Sequence, residues 1–184
     1  PMIVIAELLV GIAMGMIVKM LFSAAAMAGA IASMQIGLAS ALVMDPSQGG
    51  HAPLLARLIG IAALIVCMAA GVHHLWIASI VQSYALFPVG GLPPAQDFAM
   101  LALRVLGQAT ALGVSLAAPF LIYGAIFNLG LGLAARVAPA IQVFFITQPL
   151  NLMLGLSLLA IVLGTMLTGF ATAMSDFMRN GWSF

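Results

Sequence analysis

Met20-Leu-Phe-Ser-Ala-Ala-Ala-Met-Ala-Gly-Ala-Ile-Ala-Ser-Met-Gln-Ile-Gly-Leu-Ala-Ser-Ala-Leu-Val-Met44 runs for 25 residues without a charge. A helix needs about 20 mainly apolar residues, rising 1.5 Å each, to cross roughly 30 Å of hydrocarbon. This stretch suffices for one crossing, and three more resemble it. Uncharged runs of 39, 31 and 39 residues separate Arg57 from Asp97, Arg104 from Arg136, and Arg136 from Asp176. Each is long enough to span once, and none comfortably spans twice with a polar turn between. The composition agrees. Of 184 residues, 65% are hydrophobic and 5% charged, against about 25% charged in an ordinary soluble domain, and the mean hydropathy is +1.27. Five basic and four acidic side chains do not cover a water-facing surface of this size, and disorder demands the opposite composition. The basic residues Lys19, Arg57, Arg104, Arg136 and Arg179 stand singly, which excludes a patch that tracks nucleic-acid phosphates. The chain belongs in lipid, or in an assembly as apolar as lipid.

Lipid admits only helices and closed barrels, because every backbone polar group must be satisfied within the protein. A barrel would show segments of about ten residues alternating apolar and polar. The runs here are continuous and rich in Leu, Ala, Met and Gly, so the expected fold is an all-α integral membrane protein, a single domain over residues 1–184. Loops are marked by Asp45-Pro-Ser-Gln-Gly-Gly-His-Ala-Pro53, by Phe87-Pro-Val-Gly-Gly-Leu-Pro-Pro94 and by Arg136-Val-Ala-Pro139. Four long apolar segments are therefore expected, at 2–44, 54–86, 97–135 and 140–174. Pro119 and Pro149 should kink or interrupt the last two. Segments of 30–40 residues exceed a simple span, so they tilt, or continue into helix packed on protein. No basic n-region precedes a short apolar stretch, so a secretory signal peptide is not expected.

Small residues recur at every fourth position in the opening stretch: Ala25, Gly29, Ser33, Gly37 and Ala41. Such a ladder lets helix backbones approach closely where no hydrophobic force drives association, and it is expected to form a helix-packing seam. Gly11/Gly15, Ala109/Gly113/Ala117 and Ala160/Gly164/Thr168 repeat the device. The methionines Met2, Met14, Met16, Met20, Met27, Met34 and Met44 crowd the first segment, where flexible thioethers can repack around changing neighbours or simply stand in for Leu.

Sites of chemistry are sparse. Glu7 and Arg57 lie near segment starts, Lys19 can snorkel to an interface, and no carboxylate sits at mid-span, which argues against an ion-coupled carrier. His73 and His74 are adjacent, so on a helix they point about 100° apart and do not chelate one ion together. His51 stands alone in a loop. Cys67 has no partner cysteine and reads as a small apolar residue. There is no nucleophile elbow, Walker loop or dinucleotide loop. No enzyme activity, metal or cofactor is expected. A homo-oligomeric channel or small carrier is the alternative that composition alone leaves beside a packed helical subunit of a larger assembly.

A resemblance sharpens this. Glu7-Leu-Leu-Val-Gly-Ile-Ala-Met-Gly15, Ala28-Gly29, Met34-Gln-Ile-Gly-Leu38 and Asp45-Pro46 come in order. After them follow Gly71-Val-His-His74, Ser83-Tyr-Ala-Leu-Phe-Pro-Val-Gly90, Asn128-Leu-Gly-Leu-Gly132, Arg136-Val-Ala-Pro139 and Gln142-Val-Phe144. Each piece is weak alone; the collinear series resembles the FliR/SctT family of type III secretion export-gate proteins along nearly the whole chain. The virulence-secretion SctT type fits Gln35-Ile-Gly-Leu38 less well than the flagellar type.

The resemblance implies helical hairpins wound round a pore in the bacterial inner membrane, at the flagellar basal body. It implies assembly with FliP and FliQ, contact with FlhB, and passage of unfolded flagellar proteins. It further implies a pore plug at residues 36–46, formed by Ile36, Gly37, Leu38, Ser40, Leu42, Val43, Met44, Asp45 and Pro46, with Gly37, Pro46, Gly49 and Gly50 as hinges. Family plugs often carry aromatics where this chain has Ser40 and Val43, so sealing would fall to Leu38, Leu42 and Met44. The family also carries several tens of residues before the stretch matched by Glu7, so an N-terminal truncation relative to it is expected.

Overall fold

The computed structural model describes residues 2–38, 54–86, 95–137 and 143–180, and everything there is helix or helix-terminating turn. Five helices follow in chain order: α1 Met2–Ile36, α2 Leu54–Ala69, α3 Val72–Leu86, α4 Ala95–Val137 and α5 Val143–Arg179. At 1.5 Å per residue α1, α4 and α5 are about 52, 65 and 56 Å long, well beyond the roughly 30 Å of a bilayer core. Three helices are long and apolar enough to cross a membrane: Ile3–Ile36, Gln96–Arg136 and Thr147–Arg179. The pair Leu54–Ala69 and Val72–Tyr84 passes the same test together but is bent by 77°.

That bend divides the expected segment 54–86 in two. Its cause is Gly71, whose φ of +75° lies in the left-handed region that penalises any side chain. Gly71 donates to the Met68 carbonyl at 3.2 Å, Ala70 to Val66 at 2.8 Å, and the Gly71 carbonyl accepts from His74 at 3.1 Å. One helix is thus closed and the next opened across a single residue. Gly71→Ala is expected to cost about 1–2 kcal/mol, lowering the melting temperature of the detergent-solubilised protein by roughly 2–8 °C. Gly60→Ala, where an added Cβ meets nothing within 4 Å, is expected to leave it level or raise it, since mid-helix Gly is about 1 kcal/mol worse than Ala.

Neither proline interrupts its helix: α4 continues through Pro119 and α5 through Pro149. Long apolar helices packed on neighbours tolerate the lost donor, because local adjustment and surrounding groups take up the freed carbonyl. In the first expected segment, 2–44, the opening helix closes at Ile36, and residues 39–44 lie outside the described residues.

The C-terminal half of α1 is the hub of the core. Ala24, Ala28 and Ala32 are 0–1% exposed, as are Leu21, Ala25, Ser33 and Ile36. Around it α4 and α2 make the most extensive contacts, with α5 against α1, α2, α3 and α4. Two sets of small residues open two faces. A Cβ built on Gly29 would stand 2.7 Å from Ala56 Cα and 2.8 Å from the Leu55 carbonyl oxygen, so α2 rests directly on α1 there. A Cβ on Gly113 would stand 2.9 Å from the Ala24 carbonyl oxygen and collide with Met27 Cε, so α4 rests on the other face. Ala109 and Ala117 are buried beside it. Bulk is kept for the far side of the core, where Phe22 meets Phe170 at 5.4 Å and Trp76 at 5.8 Å between ring centroids. Phe120 and Phe177 fill the remainder.

The N-terminal half of α1 is covered very differently. Ile3, Val4, Ile5, Leu8, Leu9, Ile12 and Met16 are exposed, and Gly11 and Gly15 face open space. Leu103 at 71% and Ile161 at 77% exposure show the same on α4 and α5. Apolar surface on this scale needs lipid or partner subunits against it.

Candidate functional site

The element that would carry the plug begins where α1 stops. Gly37 has φ +87°; its N–H donates to the Met34 carbonyl at 3.3 Å, and the Leu38 N–H donates to the Ser33 carbonyl at 3.0 Å. That pair of bonds around a left-handed glycine is the Schellman termination, which satisfies carbonyls a helix end otherwise leaves open. It corrects the ladder as a helical face. Ala25, Gly29 and Ser33 lie on α1, whereas Gly37 keeps the four-residue spacing only in sequence and sits past the helix end, with its chain turning away. Of the plug residues, Ile36, Gly37 and Leu38 are described. Ser40, Leu42, Val43, Met44, Asp45 and Pro46, together with Ala41 of the seam, lie outside the described residues.

What surrounds this terminus is polar. Asn151 on α5 donates through Nδ2 to the Gln35 carbonyl at 3.1 Å, and Tyr123 on α4 donates its hydroxyl to Asn151 Oδ1 at 2.7 Å. The Tyr123 oxygen also lies 3.1 Å from the Asn151 main-chain oxygen. A Cβ on Gly37 would stand 3.2 Å from Asn151 Nδ2 and 3.3 Å from Gln148 Oε1.

Two glycines make the sockets. Gly124 on α4 receives the Gln35 side chain, whose Oε1 occupies the place a Cβ would take. Gly155 on α5 receives Ile36, with Cγ1 at 2.6 Å from such a Cβ. Beside the cluster a cavity of about 110 Å³ is lined by Phe127, Asn128, Leu131, Thr147, Gln148 and Asn151. The arrangement holds one main-chain terminus by a hydrogen bond from α5, whose donor side chain is braced in turn by Tyr123 on α4. Its groups are amides and a phenol, suited to gripping backbone rather than moving protons or metal.

Reading the chain missed Tyr123, Asn151 and Gln148. A usable signal existed: Gln148 and Asn151 are three apart and share a helix face, and amides within an apolar run need partners. The histidines also differ from expectation. Instead of diverging, the His73 and His74 rings approach to 4.1 Å between centroids, tilted by 39°. His73 Nδ1 is buried without a hydrogen bond. Among the described residues no three His, Cys, Asp or Glu come together as a metal cluster.

The geometry makes a sharp demand at Gly37. Gly37→Leu places a side chain at positive φ, at about 1–2 kcal/mol, and drives it into Asn151 and Gln148. A marked fall in the amount of folded protein in the membrane is expected, whereas Leu38→Met, which keeps volume, leaves that amount near normal. Immunoblots of membrane fractions from cells expressing each variant measure both.

Comparison with known proteins places this geometry in context. The family described as Bacterial export proteins, family 1, matches residues 1–177. Flagellar biosynthetic protein FliR of Caulobacter vibrioides is 40% identical over 176 residues, covering 96% of this chain and 68% of that protein. FliR of Escherichia coli is 37% identical over 156 residues, covering 84% and 59%. FliR of Bacillus subtilis is 27% identical over 180 residues, covering 95% and 70%. The chain thus spans between about three-fifths and seven-tenths of the length of these relatives. With the family matched through all five helices and close likeness to its flagellar members, the chain belongs to the bacterial export proteins, family 1.

Proposed function

We propose that this chain is a structural subunit of the flagellar type III export gate, set in the bacterial inner membrane at the basal body. The observation that carries the reading is the 40% identity to the Caulobacter FliR over 96% of the chain. The physical features support it. Apolar faces on α1, α4 and α5 call for partner helices, which on this reading are those of FliP and FliQ, with FlhB in contact. Residues 1–184 act as one unit that works only in this hetero-oligomer and performs no catalysis; unfolded flagellar proteins are its cargo.

In this gate residues 36–46 are the plug. Asn151, braced by Tyr123, anchors its root by binding the Gln35 carbonyl near the end of α1, so that motion of the plug starts at Gly37 and not inside the helix. A conduit needs few fixed charges, close-packed walls and a hinge beside the constriction, and the chain provides each. Affinity-tagged protein expressed from its own locus should co-purify in detergent with FliP and FliQ, and deletion of the gene should abolish flagella. Recovery as a homo-oligomer free of both, in a strain whose deletion mutant still swims, would overturn the proposal in favour of an independent channel.

A further inference from the structure

Lys19 and Arg57 stand 38 positions apart in sequence, yet both line one open-sided cavity of about 710 Å³ between α1 and α2. The rest of its wall is nearly all apolar, with Phe22, Ile61 and Leu64 as the large side chains and Gly15 and Gly60 as the floor. A Cβ added at either glycine would meet nothing within 4 Å, so the groove has room there for a further group. Both cations are exposed.

Neither cation forms an ion pair or hydrogen bond to any group among the described residues, whose carboxylates are Glu7, Asp97 and Asp176. Glu7 lines a different cavity, with Trp76, Ser79, Ser83 and Tyr84, and lies twelve residues or about 18 Å along α1 from Lys19. Two of the five basic residues in a very apolar chain therefore line one apolar trough with no counter-charge among the described residues.

We infer that this groove binds an anionic phospholipid. Its phosphate sits between Lys19 and Arg57, and an acyl chain lies along Phe22, Ile61 and Leu64. The stems of Lys and Arg cover apolar surface while their heads stay with polar groups, and a single amphiphile supplies both the anion and the hydrocarbon that the groove lacks. The close seating of Gly29 on Ala56 fixes the geometry. It places Arg57 about ten residues, or about 15 Å, along α1 from Lys19, a gap that two long side chains close onto one phosphodiester. The volume falls within the usual range of small-ligand clefts. The inference stands whether or not the chain serves the flagellar gate.

The test uses the protein purified in the assembly that holds it in its host membrane, delipidated in detergent, then titrated with phosphatidylglycerol or phosphatidylcholine and followed by native mass spectrometry. A basic residue near an anionic lipid adds about fivefold in affinity, and two together roughly 30-fold, so a preference of that order for phosphatidylglycerol is expected. The Lys19→Gln/Arg57→Gln double variant should bring the two lipids within about twofold of each other. Lys19→Arg should retain the preference. Gly60→Leu fills the trough without touching a charge, and should abolish retention of either lipid at this site while the assembly stays intact.

Glycerol phosphate, which has the anion but no tail, should not compete at equal concentration. Equal binding of the two lipids by the native protein, or an unchanged preference in the double variant, overturns the inference. So does a Gly60→Cys variant that crosslinks quantitatively to a neighbouring subunit, because a protein helix would then occupy the groove.

Discussion

Gly29→Leu is expected to remove the chain from its membrane assembly, with at least about a tenfold fall in the amount recovered and complete loss of swimming. The reason is that the obstacle is main chain. The first atom of any side chain at this position would stand 2.7 Å from Ala56 Cα and 2.8 Å from the Leu55 carbonyl oxygen, and neither can rotate away. Overpacking a core costs typically about 1–3 kcal/mol when neighbours can shift; here two helix axes must part. Separation of α1 from α2 also breaks the burial of Leu55, Ile59, Ala63 and Cys67, which line the inner face of α2. Even Gly29→Ala should be measurably harmful. Gly107→Ala, on a part of α4 where a Cβ meets nothing within 4 Å, should leave assembly and swimming unchanged. Immunoblots of membrane fractions and soft-agar motility read both, and equal behaviour of the two variants would show that the α1–α2 contact is not as close as described.

Asn151→Leu is expected to loosen the terminus of α1 and, if residues 36–46 plug a gate as proposed, to make that gate leak small ions. The substitution leaves the Gln35 carbonyl without its donor and the Tyr123 hydroxyl without its acceptor at Oδ1. A buried polar group left unpaired costs about 1–3 kcal/mol; these groups are half-buried, which places the loss toward the lower end. Tyr123→Phe removes one partner only and leaves the Asn151–Gln35 bond in place, so its effect should be the smaller. Asn151→Asp withdraws the amide donor from the Gln35 carbonyl and puts a carboxylate oxygen against it, and should match or exceed the leucine variant. Membrane conductance of cells overproducing the assembly, measured without export substrates, orders the three. If Asn151→Leu stays as tight as the native protein, the polar clamp has no part in closure.

The helical segments were legible because charge and turn chemistry are so rare in this chain. Asp45 through Pro53 and Phe87 through Pro94 punctuate runs that have no other reading than helix in lipid, and the boundaries at Leu54 and Ala95 follow from them. The break at Gly71 was not legible as structure. A single glycine in an apolar run looks the same at Gly60, Gly107 and Gly71, and only the last has a positive φ; what separates them is tertiary, namely where α3 finds its partner on α5. At Pro119 and Pro149 the sequence left a kink and an interruption open together; the helices continue, because neighbouring helices and local adjustment absorb the lost donor.

The ladder shows a third limit. Its period continues through Gly37, but a glycine at that spacing serves equally to pack a helix or to end one, and the deciding Ser33–Leu38 bond depends on the turn itself. The clamp was hidden for a plainer reason. Asn151 and Gln35 lie 116 positions apart, and no periodicity in one helix announces a partner on another.

The bent pair formed by α2 and α3 has a geometric corollary for how far this chain reaches across a membrane assembly. The two limbs are about 24 and 22 Å long, and the angle between them is 77°. If one limb follows the bilayer normal, the other runs nearly parallel to the membrane plane and carries the polypeptide roughly 22 Å sideways. Such an elbow turns contour length into lateral reach. It lets the chain overlap the territory of an adjoining subunit, and makes that reach sensitive to the angle set at one glycine.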